Sequence, residues 1–223
     1  MNTPIESMRY ILSIAAAMLV VMAPARGLGD TDDNKVPAKE IRSASRQARS
    51  AEKQLRKEGY RYADIGSATA DLEHFFLKVA SGCPRVVGGS GWCLSENLAK
   101  LTALANAANE YAVLQGGTVR GRIVSTQSSL SGQQVDDLVA SFERYVQKDI
   151  QGELIPCATF YRRRGREVSA RIYCIVDEDA AARARRHAME LAMQEQSLAQ
   201  QYGSMASDWI DEAFVKEEVR SGL

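Results

Sequence analysis

Four cysteines, two histidines and a run of arginines are the residues of this chain whose types and spacing could do chemistry. Cys157 and Cys174 stand at equal distances on either side of Gly165-Arg166. If that dipeptide is a two-residue hairpin turn, with glycine first as type II′ geometry favours, the register is fixed. Arg164 then faces Glu167, Tyr161 faces Ala170, Thr159 faces Ile172 and Cys157 faces Cys174. Alternation puts Ile155, Cys157, Thr159 and Tyr161 on one nearly apolar face with Val168, Ala170, Ile172, Cys174 and Val176. Counted outward from the turn, the cysteines fall at a non-hydrogen-bonded pair, where Cα atoms approach to about 4.5 Å, within the reach of a disulfide. The alternative is two buried thiols packing as small hydrophobes. Cys83 and Cys93 would then close a glycine-rich loop, a bridge worth roughly 2–4 kcal/mol. A straight strand between them would instead hold them too far apart, and four cysteines allow three pairings. Thiol metal sites need closely spaced pairs such as C-x-x-C, and the sequence has none.

The remaining chemistry is sparse. His74 borders Phe75-Phe76 and reads as a packed or surface histidine; His187 lies one helical turn from Glu190, which reads as an exposed ion pair. Gly88-Gly89-Ser90-Gly91 is followed by Trp92, so it lacks the second flanking glycine of a nucleophile elbow. Phosphate-binding loops and dinucleotide fingerprints are missing. Arg162, Arg163, Arg164 and Arg166 cluster at the hairpin tip, where guanidinium groups could clamp phosphate, sulfate or an acidic surface. The plainer reading is solvated charge that discourages edge-to-edge aggregation. No cofactor, metal or catalytic residue is expected, and the chain does not read as an enzyme.

The elements that must position these residues begin after a signal. Arg9, an apolar run over residues 11–22 and Ala23-Pro24-Ala25 have the pattern of a secretory signal peptide. That run is well short of the roughly 20 apolar residues of a spanning helix. Residues 1–25 are therefore expected to be cleaved, leaving a periplasmic or secreted chain without stable membrane insertion; a retained anchor is the alternative. With 28 basic and 28 acidic residues the 223-residue chain is neutral, which gives nucleic acid no electrostatic hold.

Residues 26–37 are polar and read as a disordered linker. Ile41, Ala44, Ala48, Ala51 and Leu55 mark a helix over residues 38–58 with a narrow alanine stripe, read as a solvated arm, with a docking helix as the alternative. A second helix runs from its cap Ser67 to Ala80. A short strand or loop at Val86-Val87 precedes a helix from Ser95 to Leu114, stopped by Gly116-Gly117. Residues 119–128 look like a strand, and Val135, Leu138, Val139, Phe142 and Val146 mark another helix. The hairpin follows, then a long helix from about Asp177 to Tyr202. Trp209, Ile210, Ala213 and Phe214 form an apolar patch on a last short helix from Ser207, expected to cover the domain's own core. This divides the chain into an N-terminal helical region (38–82), an α+β core with its closing helix (83–202) and a C-terminal helix (203–223). The fold class is α+β: an antiparallel sheet with a C-terminal β-hairpin packed by amphipathic helices on one face, and helical extensions at both ends.

The segments RVVGG, ENLAKLTALANAANEYAVLQG and GELIPCATFYRRRGREVSARIYCIV, with KQLRKEGY before them, carry a resemblance over residues 52–195. The pattern resembles the Lpp20-like family of extracytoplasmic envelope proteins of Gram-negative bacteria, which includes flagellar-associated members, and related uncharacterised secreted bacterial proteins. The resemblance implies a dodecin-like core and a non-enzymatic structural or adaptor role, with a protein partner or self-association. The chain departs from it in lacking a lipid-modified cysteine after the signal and in carrying four cysteines. The alternative from another class is a small-ligand or anion-binding module using the arginine tip.

Overall fold

The computed structural model describes residues 37–126 and 129–214, the last four as backbone. The expected signal segment 1–25 and all but the last residue of the expected linker 26–37 lie outside the described residues. Ten elements follow in order: α1 (Ala38–Lys57), β1 (Arg61–Tyr62), α2 (Ala68–Ala80), β2 (Arg85–Gly89), α3 (Glu96–Ser125), α4 (Gly132–Ile150), β3 (Leu154–Arg164), β4 (Glu167–Val176), α5 (Glu178–Glu195) and α6 (Ala199–Phe214). The strands form one antiparallel sheet in the order β1-β3-β4-β2.

The sheet is buried on both faces, not on one. Val168, Ala170, Ile172, Cys174 and Val176 of β4 pack with α3, α4, α5 and α6 in a large core. Ala158, Phe160, Tyr173 and Ile175, on the opposite face, pack with Ala44, Ala48 and Leu55 of α1 and Leu72, Phe75 and Phe76 of α2. Aromatic rings link that second core: Phe75 meets Tyr173 at 5.3 Å edge-on, and Tyr62 meets Phe160 at 5.4 Å. The first helix is thus a docked element rather than a solvated arm. The line drawn between residues 38–82 and 83–202 also crosses this sheet, since β1 pairs with β3.

Local signals explain most boundaries. Ser67, Ser95, Ser131 and Asp177 each accept a backbone N–H at the start of their helices, and Ser131 with Gln134 completes a capping box. Helix α1 ends with Gly59 at φ 84 and with the Tyr60 N–H bonded to the Leu55 carbonyl, the paired closure that a left-handed glycine permits. The same closure ends α5, with Ser197 at φ 56 where glycine is usual. The break in the C-terminal helices therefore falls at Ser197, not at Gly203-Ser204, and α6 runs through both. Trp209 and Ile210 are buried as expected, Trp209 donating to Thr126 Oγ1 at 3.2 Å; the side chains of Ala213 and Phe214 lie outside the described residues.

Two expectations fail for one reason. Helix α3 does not stop at Gly116-Gly117 but runs on to Ser125, absorbing the strand expected over 119–128. Val119 and Ile123 continue the buried stripe of Ala108, Tyr111 and Ala112 at helical spacing. Tertiary packing overrides the intrinsic cost of glycine there. Gly116 is also a close-approach point: a Cβ on it would lie 2.4 Å from Glu143 Cγ of α4. Gly88 is tighter, with a Cβ only 1.9 Å from the Ala103 carbonyl oxygen of α3.

Gly88→Ala is therefore expected to destabilise the fold by about 1–3 kcal/mol or more, through overpacking of β2 on α3. Gly117→Ala, whose Cβ meets nothing within 4 Å, is expected to stabilise by about 0.5–1 kcal/mol. Thermal melts of the two variants check both signs, and a destabilising Gly117→Ala would contradict the continuous helix.

Candidate functional site

The hairpin forms with the expected register from its tip to Thr159↔Ile172, and Gly165 takes φ 60 in the turn. Beyond that point a β-bulge intervenes. Pro156 pairs with Cys174, Ala158 with Tyr173, and Cys157 is the extra residue between them. The expected facing pair Cys157–Cys174 is therefore not formed. Cys174 is fully buried in the larger core, whereas Cys157 is half-buried against the smaller core, across the sheet. Proline has no N–H to give the ladder and favours such irregularities. Cys83 and Cys93 are not joined either. Cys83 precedes the Arg85↔Ile175 end of β2, whereas Cys93 bridges to Val168 beside the hairpin tip. The straight strand between them separates the pair by far more than the roughly 7 Å a disulfide tolerates. All four cysteines are free thiols.

The arginine cluster is divided between the two faces. Arg163 reaches to Glu96 in the first turn of α3 at 2.5 Å, and Arg164 to Glu167 at 2.8 Å. Arg162 and Arg164 lie over the Trp92 ring at 4.7 and 4.4 Å, and Arg162 and Arg171 over Tyr60 at 5.0 and 4.9 Å. Arg171 ends the series on Glu58 at 2.8 Å, and Arg162 donates to the Glu58 carbonyl at 3.3 Å. This alternating ladder of guanidinium and aromatic groups ties the hairpin to the C-terminal end of α1. Of the four tip arginines, Arg166 alone has no partner among the described residues. The tip is not one clamp; most of its cations already hold the fold.

Other candidates are also accounted for. Ser90 Oγ accepts the Ala170 N–H at 2.8 Å and extends the sheet instead of forming an elbow. His74 is exposed, and His187 pairs with Asp149 of α4 at 2.6 Å, not with Glu190. Among the described residues no group of His, Cys, Asp or Glu is placed to hold a metal, and no helix is long and apolar enough to cross a membrane. No protein family, curated protein or solved structure matches the chain.

A concavity adjoins the ladder on the α1 side, and the two share Tyr60. A cleft of about 1210 Å³ opens between α1 and the chain from Gly59 to Thr69, floored by Tyr60, Tyr62 and Phe160. Arg49, Lys53, Arg56 and Lys57 of α1 and Arg61 of β1 line it. Arg56 pairs with Glu52 at 2.5 Å, and Thr69 donates to Glu52 from the opposite wall. The other four cations are exposed and have no partner among the described residues. Sequence reasoning passed over them, although the signal was there. Arg42, Arg46, Arg49, Lys53 and Lys57 recur every three or four residues, a basic stripe on the side of the helix away from the alanine stripe.

Burial pushes the Cys174 thiol up to about 12, with Cys157 adding to the effect. A group raised in the folded state stabilises the fold below its unfolded pKa, and that contribution is lost as pH climbs toward the folded value. Stability is expected to decline between about pH 8.5, the free thiol value, and the folded value of about 12. Alkylation followed by mass spectrometry is expected to leave Cys174 unmodified in the native protein at mildly alkaline pH, yet to modify it in denaturant. Rapid native labelling would contradict the register that buries it.

Proposed function

We propose that this protein is a non-enzymatic extracytoplasmic adaptor that holds an acidic ligand in the cleft beside α1. Four cations in one cleft that have no counter-ion among the described residues carry the reading: Arg49, Lys53, Lys57 and Arg61. In a chain of zero net charge, such a concentration is a local feature and not a by-product of overall basicity. The signal-like pattern of Arg9, the apolar run 11–22 and Ala23-Pro24-Ala25 supports an extracytoplasmic setting. The anion-binding alternative thereby moves from the hairpin tip, where Arg162, Arg163 and Arg164 are engaged, to α1. Ser90 tied into the sheet and His187 paired with Asp149 support a role without catalysis.

Self-association belongs to the same reading. Leu98 and Leu101 in the first turns of α3, and Leu94 just before its cap Ser95, are 49%, 56% and 82% exposed. An apolar patch of this kind suits contact with a second copy.

Titration calorimetry at low salt with phosphate, citrate, an acidic peptide and a heparin fragment tests the cleft. At least one is expected to give a saturable heat that Lys53→Glu/Lys57→Glu abolishes, with the melting temperature unchanged. Silence from every anion, or full binding by the double variant, would overturn the reading.

A further inference from the structure

From the line of the charges we infer that the cleft takes a linear anionic glycan, a sulfated or carboxylated polysaccharide strand, in preference to a compact anion. The inference rests on the reading of the cleft as an acidic-ligand site and adds the shape and class of the ligand.

Arg49, Lys53 and Lys57 are each four residues apart on α1, so their Cα atoms advance by about 6 Å per step and about 12 Å in all. Arg61 of β1 lines the same cleft beyond the helix end. Arg46 and Arg42 extend the series in the other direction on the same helix face, giving a row of about 22 Å from residue 42 to 57. A single phosphate or sulfate can touch two neighbours in such a row and leaves the rest unpaired. A strand carrying an anion at regular intervals satisfies the whole row. The cleft volume, about 1210 Å³, also exceeds the roughly 300–1,000 Å³ of ordinary small-molecule pockets.

The floor decides between classes of polyanion. Single-stranded nucleic acid is held by stacking bases on open aromatic faces as well as by charge. Here Tyr60 is buried under Arg162 and Arg171, and Phe160 is buried between Tyr62 and Tyr173. Tyr62 itself packs on Phe160 and donates its hydroxyl to Asp71. The rings support the wall and leave little platform for a base. A glycan needs none, because it presents charge and hydroxyls. Glu52, set among the cations and already accepting from Thr69 and Arg56, is a natural acceptor for a sugar hydroxyl. The same carboxylate repels a compact anion seated centrally.

The test is calorimetry at several salt concentrations with heparin-derived di-, tetra- and hexasaccharides, inorganic phosphate and an oligothymidylate. Affinity is expected to rise at least tenfold from disaccharide to hexasaccharide and to fall steeply with salt. Arg49→Glu is expected to weaken the hexasaccharide about tenfold while leaving the disaccharide nearly unaffected and the melting temperature unchanged. Equal affinity for all lengths, or tighter binding of oligothymidylate, overturns the glycan assignment. Binding of phosphate alone overturns it too but leaves the acidic-ligand reading standing, whereas no binding by any probe removes both.

Discussion

The β3–β4 hairpin carries apolar side chains on both of its faces, and everything else in the structure follows from the need to cover them. Burial of such side chains contributes roughly 1.5–3 kcal/mol each, so neither face can be left to solvent. Helix α3 lies on one face with α4 to α6 packed behind it, and α2 lies on the other with α1 packed against it. The second layer is thin, and its contact with α1 runs through Ala44, Ala48 and Leu55. Alanine lets α1 lie close to its neighbours while its basic stripe stays in solvent. The row of cations is therefore held by the same small residues that fix the helix.

Two devices sharpen that placement. The closure at Gly59 turns the chain from α1 straight into β1, so that Lys57 and Arg61 line one cleft. The ladder from Trp92 through Arg162, Tyr60 and Arg171 to Glu58 then binds the helix end to the hairpin. Each such contact is worth about 0.5–1 kcal/mol at an exposed site and more when desolvated. Arginines that look like a ligand clamp in the sequence are, in three dimensions, the support for a different set of cations.

Much of the fold was legible because its signals are local. The Gly165-Arg166 turn predicts the hairpin register as far as Thr159↔Ile172, and Ser67 is the cap that the sequence marks. What was not legible depends on partners distant in sequence. Gly116-Gly117 looks like a stop, yet α4 packs so closely on α3 that a side chain at residue 116 would strike Glu143. Ser197 looks ordinary, but it takes the left-handed conformation that breaks the helices, whereas Gly203, where the sequence predicts the break, lies inside α6. Pro156 is the local mark of the bulge, since proline is poorly suited to a paired strand. The partner of His187, Asp149, comes from another helix and has no trace in the local pattern. The cleft cations were visible as a stripe, but only the docking of α1 turns a stripe into a wall.

The ordered docking of α1 is what separates a built cleft from a charged arm, and hydrogen exchange of its backbone amides measures this directly. Exchange in native buffer reports the free energy of local opening, segment by segment. Amides from Ala44 to Lys57 are expected to be protected to a degree comparable with α2, whose Leu72 and Phe75 share the same core. Exchange of α1 at the rate of an unstructured chain, with α2 still protected, would contradict the docked helix and with it the cleft.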